Sequence, residues 1–453
     1  MLPGFGKAKS VIIFYLYGAP PQMETLDPKP DSPSVKEGGI KSIPSSIPGI
    51  HVADLLPEIG KRLHNFALIR SMSHSSNNHA VSVALSGLSK SVPAIEANGQ
   101  DKRHAPYIGS VLEFLLKQQG VDASVTGVPV HMLLPWRLNL ISDPGRWSPN
   151  ADYLGREYDS IIPQFIGEGS LEKGLPTQRS TKAVLSRFNP FHGITPESTF
   201  RFKGTKLPED VSEERLIERR DLLKRLDEND PGFLGDAEAL AFNRSQEVAF
   251  NMITHPKVAH AVDFTREPMA IREKYGMHLL GQQLLAARRL VEAGVKMVTC
   301  IWDDWSSGNQ AWDTHSNHFA RIKHNLCPLF DQMLPVFYDD LEQHGLLDDT
   351  LVMVLTEHGR TPHLNDAKDS GRDHWSDAYW ELFFGAGIKT DRVIGATDKL
   401  GAYPITKPYD PKDVLATMYH LLGFDPQTTE IPDRVDRGIP ILPHGDVIRE
   451  LVV

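Results

Sequence analysis

An α/β fold, with a mostly parallel central sheet and helices on both faces, follows from three features of the sequence. Apolar runs at 11–17 (VIIFYLY), 295–302 (VKMVTCIW) and 351–355 (LVMVL) lack the apolar–polar alternation of a half-exposed strand. Runs of that kind mark strands covered on both sides, as in parallel sheets. Helix-length amphipathic stretches alternate with them at both ends of the chain, the pattern of strand–helix–strand units. Finally, carboxylates and imidazoles gather just after the runs, and open α/β sheets place their sites at strand carboxyl ends.

In chain order, the strand at 11–17 ends in Gly18-Ala19-Pro20-Pro21 and is followed by Glu24 and Asp27. Residues 28–50, rich in Pro, Ser and Gly, read as a long loop. Helical spacing is expected over 52–63, a second strand at 66–70 (FALIR) and a helix over 80–88. Between the last two lies the polar segment Ser71–His79 (SMSHSSNNH). Further on come a helix at 107–118, a strand at 128–134, a loop at 144–178, a charged surface helix at 209–230 and a helix at 237–253. The amphipathic 275–293 (YGMHLLGQQLLAARRLVEA), with Gly294 as its cap, feeds the strand at 295. A long helix over 316–345 is expected to kink or divide at Pro328 and Pro335. A strand at 380–385 (WELFFG) and a helix at 411–423 capped by Asp410 complete the pattern. The whole chain, 1–453, reads as one domain with an irregular insertion at roughly 90–260.

Composition narrows the class. At 40 % apolar and 23 % charged residues the chain is globular rather than disordered. A net charge of −10 argues against a nucleic-acid surface, and no apolar run approaches the length of a membrane span. Cys300 and Cys327 are too few for a disulfide framework and read as buried thiols. Met1 to Ser10 contains no apolar core of a signal peptide.

The chemistry sits at the strand ends. Glu357 and His358 follow the strand at 351–355, and His374 lies sixteen residues beyond His358 in Gly-Arg-Asp-His-Trp. One Glu-His pair is more often a solvated loop than a site. A second cluster, Asp313 and His315 beyond the strand at 295–302, shifts that balance toward a metal centre. His318 is a spare ligand candidate. Glu24 or Asp27 adds a first-strand acid, although Asp27-Pro28 serves equally well as a turn start. In the polar segment, Ser75, Ser76, Asn77 and Asn78 suit helix capping; in the functional reading a Ser75 or Ser76 hydroxyl is a nucleophile beside the metals. His79 or His74 would then be a ligand or proton donor.

These residues resemble one bacterial family. The opening GAPPQMETLDPKP, the segments YGMHLLGQQLLAARRLVEAGVKMV and WDTHSNHF, and TLVMVLTEHGRTP followed by GRDHW are similar to the domain of unknown function 1501 family, of the alkaline phosphatase and sulfatase superfamily. The resemblance covers about residues 10 to 440. It implies an alkaline-phosphatase-like sandwich and a metal-dependent hydrolase of phosphate or sulfate esters, acting on a small-molecule or glycan ester. Members usually carry a twin-arginine leader, so the resemblance implies a periplasmic or secreted protein whose leader is removed or omitted. It further implies Glu357-His358 in the place of the superfamily's Asp-His pair, His374 as its later His, Asp313 and His315 as its acid-and-His pair, and Glu24 or Asp27 as its first-strand acid. The sulfatase Cys-x-Pro-Ser-Arg signature is missing, and its Cys falls near Asn77, which cannot attack; Ser75 or Ser76 serves only after a shift of register. Mixed imidazole and carboxylate ligands suit zinc first, then manganese, with calcium the least favoured. Two such ions would lie roughly 4 Å apart. Arg360 or Arg372 would grip a non-bridging oxygen, with Arg372 as readily an anchor for its own loop, and His79 would protonate the leaving group. The rival reading is a catalytically degenerate fold that binds glycan or another surface.

Overall fold

A computed structural model describes residues 2–88, 90–139, 145–173, 185–203, 211–227, 237–254, 256–303, 311–367 and 369–453. Its centre is a seven-stranded sheet. In chain order the strands are β1 (Ser10–Leu16), β2 (Ala67–Met72), β3 (His131–Leu134), β4 (Met297–Trp302), β5 (Thr350–Leu355), β6 (Tyr379–Gly385) and β7 (Arg392–Ile394). Across the sheet they lie in the order β7-β2-β6-β5-β1-β4-β3. Every pairing is parallel except those of β6, which runs antiparallel to both β5 and β2. β1, β4 and β5, the three apolar runs, are adjacent and buried along their whole length. Side chains point alternately to the two faces of a strand, so uninterrupted burial means that both faces of the sheet centre are covered.

The helices that do this are amphipathic. The helix α3 (Leu279–Glu292) packs on β4 and β1, and against α4 (Cys327–Gln343). Three of the other helices are α1 (Val81–Ser86), α2 (Ile108–Gln118) and α5 (Pro411–Leu421). At the start of α5, Asp410 forms a full capping box with Asp413, satisfying backbone N–H groups that no helical carbonyl reaches.

Several sequence expectations are corrected. Residues 52–63 do not form one helix: His51–Ala53 is a strand and only Pro57–Lys61 is helical, because a proline favours the first turn of a helix and not its interior. The 144–178 segment is not loop throughout, since Gln164–Ile166 and Gly169–Lys173 pair with later strands. The expected break in the long 316–345 helix falls ahead of Pro328: His318–Arg321 passes through one wide turn, Ile322–Leu326, into α4. Pro328 then sits in the first turn of α4, where its missing N–H costs nothing, while Pro335 is tolerated inside it. The ends of the 209–230 stretch lie outside the described residues.

Candidate metal centre

Residues that follow β1, β4 and β5 in the chain meet at the carboxyl-end rim of the sheet. Backbone hydrogen bonds fix them to one another: Trp312 N–H to Tyr17 O (2.9 Å), Arg372 N–H to Thr314 O (3.0 Å) and Thr361 N–H to Asp373 O (2.9 Å). The approach is close enough to require glycine at two points. A Cβ on Gly18 (φ +93) would stand 2.2 Å from the Asp313 nitrogen, and one on Gly371 would stand 1.9 Å from the His315 carbonyl oxygen. Gln22 adds a bridge, with its amide oxygen accepting from Arg360 N–H (2.9 Å) and its NH2 donating to the carbonyls of Arg360 (2.9 Å) and Gly401 (2.8 Å).

At this junction five residues singled out in the sequence as ligands, and His79, converge. Donor atoms of His79, Asp313, His315 and His374 all lie within 4.8 Å of one another, as do those of His79, Glu357 and His358. Asp313 is the hub of the first group. Its Oδ1 is 3.0 Å from His315 Nε2 and 3.3 Å from His374 Nε2, and its Oδ2 is 3.3 Å from His79 Nε2. His79 joins the groups, because its Nδ1 is 2.9 Å from Glu357 Oε1. The rings of His79 and His358 stand 4.3 and 4.5 Å from that of His374.

The hydrogen bonding of this cluster is unfinished in a way that fits a cation. His358 Nδ1–H donates to the Gly359 carbonyl (2.8 Å), which leaves the Nε2 lone pair free. That Nε2 is buried and has no hydrogen-bond partner among the described residues. His315 Nε2 faces His374 Nε2 at 3.0 Å, and His315 Nδ1 is taken by Asp373 Oδ1 at 2.7 Å. Asp373 is itself held by the Asn365 side-chain NH2 (3.0 Å). An imidazole whose far nitrogen is fixed by a carboxylate is the usual outer support of a metal-ligating histidine.

Electrostatics agree with the geometry. Burial pushes the His358 pKa well below the ordinary histidine value, helped by the nearby positive charge of His374, Arg360 and His79. For His374, burial and the His79 and Arg360 charges bring it to about 3. Both are therefore neutral near pH 7, the form that ligates. Asp313 ionises far more readily than usual: burial opposes its charge, but Arg360 and His79 outweigh it. His79 is the exception. Burial disfavours its cation, yet Asp313 and Glu357, one on each ring nitrogen, raise its pKa to about 9.

Other sequence candidates are placed elsewhere. Glu24 is not among the converging groups. It is fully buried in an ion pair with Arg372 and takes a hydrogen bond from His318 Nε2, so its oxygens are already committed. His318 is thereby removed as a spare ligand, its Nδ1 meeting the Thr314 hydroxyl at 2.7 Å. Asp27 pairs with Lys29 (3.0 Å). Both arginines are fully buried and bonded to protein groups. Arg372 binds Glu24, the Thr361 carbonyl (2.8 Å) and Ser34 Oγ (3.1 Å), which is the loop-anchoring alternative. Arg360 is fully buried and spends its donors on Asp313 and on the Gly18, Ala19 and Arg372 carbonyls. Its place is behind the hub carboxylate.

The serines also differ from expectation. Ser76 Oγ accepts from Ser91 N–H (3.1 Å), away from the cluster, and Ser75 is exposed. Neither caps α1, whose N-cap is Ala80, nor does Asn77, whose side-chain oxygen accepts from Ser376 N–H (3.1 Å). His74 is a strut, with Nε2 on the Glu357 carbonyl (2.6 Å) and Nδ1 accepting from Ser76 N–H (3.1 Å). Sequence reasoning missed Asp373, Asn365 and Gln22. The only signal for Asp373 is its place beside His374, and nothing local marks the other two.

Residues 8–452 match the family described as protein of unknown function (DUF1501). No curated protein matches the chain. Among solved structures it is similar to a protein in the alkaline phosphatase superfamily from Vibrio parahaemolyticus, at 12% identity over 94% of this chain and 69% of that one, with a TM-score of 0.36. It is also similar to the lipoteichoic acid synthase LtaP from Listeria monocytogenes (12% identity, 99% and 78% covered, TM-score 0.37). A third is alkaline phosphatase from the Antarctic bacterium TAB5 (12% identity, 88% and 96% covered, TM-score 0.37). Likenesses this distant carry nothing about the chemistry of the present chain, which rests on its own side chains.

Proposed function

The chain belongs to the family of proteins of unknown function DUF1501, and from that premise we propose that it is a metal-dependent hydrolase of phosphate or sulfate esters acting outside the cytoplasm. One observation carries the reading: the buried Nε2 of His358, which has no partner among the described residues, within a knot of imidazoles and acids whose donor atoms face one another. Burying His79, Glu357 and His358 together without a shared cation is costly, and the half-buried Asp313, His315 and His374 stand directly beside them. Asp313, His315 and His374 would hold one divalent ion, Glu357 and His358 a second, with zinc the best match to this donor set and manganese next. When bound, such ions supply positive charge against the ester's oxygens and activate water.

The chain's own groups then have distinct tasks. Arg360 fixes the Asp313 carboxylate, and Asp373 with Asn365 fixes the His315 ring. His79 holds a proton between Asp313 and Glu357, and a neighbouring divalent cation would lower its pKa toward neutrality. A histidine so tuned serves as the general acid for the leaving oxygen. The test is to purify the protein, count its metals, and assay chromogenic phosphate and sulfate esters with zinc, manganese or calcium. Turnover that needs metal and falls roughly 100-fold or more in His79→Gln supports the reading; two firmly held ions with no turnover of any ester would reject it.

A second reading, a metal-binding but non-catalytic glycan or surface binder, is favoured by Ser76, whose hydroxyl is turned to the Ser91 backbone rather than to the cluster. In that case the same assay stays silent while glycan retention on a column depends on the intact fold.

A further inference from the structure

The chain is acidic overall, with a net charge of −10, yet one of its clefts is basic. A cavity of about 590 Å³ opens between the 99–102 loop, the turn after β3 and the 149–162 segment. Lys102, Arg137, Arg156 and Arg434 line it, with Asp101, Asp152 and Asp159. The acids are largely spoken for. Asp101 is taken by Arg103 (2.7 Å), Asp152 by Arg434, and Asp159 Oδ1 accepts from Ala151 N–H (2.8 Å). By contrast, Lys102, Arg137 and Arg156 make no ion pair or side-chain hydrogen bond among the described residues. Three uncommitted cations around one concavity leave it positive, and two of them are guanidinium forks suited to planar or tetrahedral oxyanions.

Its position ties it to the candidate centre. Arg137 lies three residues past the carboxyl end of β3, on the same rim of the sheet as the metal cluster. Asn139 N–H in that turn donates to Asp303 Oδ2 (3.0 Å), just beyond β4. A volume of this size suits a ligand of about one sugar unit or a small metabolite.

We propose that this cleft is an anion subsite, binding a sulfate, phosphate or carboxylate group on a part of the substrate remote from the ester that reacts. The proposal rests on the hydrolase reading for its meaning but on separate residues for its existence. It narrows the substrate class to esters carrying at least one further negative charge, such as an acidic oligosaccharide.

Calorimetric titration of chelator-treated protein with inorganic sulfate, inorganic phosphate, trigalacturonate and neutral maltotriose tests it. At least one anion is expected to bind on the order of millimolar, to weaken as NaCl is raised, and to lose roughly tenfold or more in Arg137→Ala/Arg156→Ala. Both arginines are exposed, so that variant should keep the wild-type melting temperature. Silence of all three anions, binding indifferent to the double substitution, or equal binding of maltotriose would each overturn the proposal. The His358→Ala/His374→Ala protein should bind the same anion equally well. Anion binding there, with no ester turned over by wild type, would leave the subsite standing and remove the hydrolase.

Discussion

Two groupings of acids and histidines lie at this rim, one fully buried and one partly so, and they behave differently. In one, Glu24, His318 and Arg372 close on themselves: Arg372 neutralises Glu24, His318 bonds both Glu24 and Thr314, and no polar side-chain atom of the three is left without a partner. In the other, Asp313, His315, His374, Glu357 and His358 leave a buried lone pair unused and set imidazole nitrogens against each other. Residue type therefore does not distinguish a metal site from a structural ion pair. The carboxylates are bonded in both groupings, Asp313 by Arg360 and Glu357 by Gly18 N–H (2.7 Å); what distinguishes the open one is an imidazole nitrogen, His358 Nε2, that has no partner among the described residues.

The comparison is easiest to break on its closed side. Arg372→Ala should leave the Glu24 carboxylate buried without its cation and cost about 3–5 kcal/mol of stability in a denaturant melt. Removing His358, by contrast, should cost the metal-free protein far less. Acid acts on the same pair. Burial opposes the Glu24 charge, but His318 and Arg372 win and depress its pKa from 4.5 to about 2. The stability it contributes is thus complete above pH 4.5 and is lost as pH falls toward 2, roughly 3 kcal/mol in all. A melting series that is flat over this window would contradict the closed pair.

On the open side the largest effect is on protons. With His79 raised to about 9 in the metal-free protein, a cation entering beside it lowers that pKa toward neutrality, so that binding near neutral pH releases part of the proton and leaves the rest for acid catalysis. Metal affinity should therefore rise by up to about tenfold per pH unit until pH reaches about 9 and then level off. Calorimetry in two buffers of different ionisation enthalpy reads the released proton directly; pH-independent uptake would mean that His79 does not feel the ion. A smaller effect belongs to the outer support. Asp373→Asn keeps the shape but weakens the grip on the His315 ring, and should reduce metal affinity roughly 10- to 100-fold while leaving the melting temperature of the metal-free protein unchanged.

This contrast also separates what the sequence discloses from what it hides. The three central strands were legible because burial on both faces removes alternation, and β1, β4 and β5 do lie side by side. The strand-end rule led to Asp313, His315, Glu357, His358 and His374, since local sequence fixes that a carboxylate and an imidazole leave a strand together. Glu24 is the opposite case, since nothing near it in the chain announces Arg372, 348 residues away. Arg360 fared likewise, its partners being the Gly18 and Ala19 carbonyls and Asp313. Partnership of this kind is set by loop closure in three dimensions, and residue type alone leaves it open. The polar run at Ser75 to Asn78 offered caps and a nucleophile alike, and the fold uses Ser76 and Asn77 to tie loops together.

The central claim is that the open grouping is completed by a cation, and elemental analysis of bound metal tests it most directly. Wild-type protein purified without chelator and the His358→Ala/His374→Ala protein are to be compared, with matched far-UV spectra to show that both are folded. The account predicts stoichiometric divalent metal in the wild type and its loss in the double variant. Stoichiometric metal retained by the double variant, or none in a wild type dialysed against zinc and manganese, would contradict it.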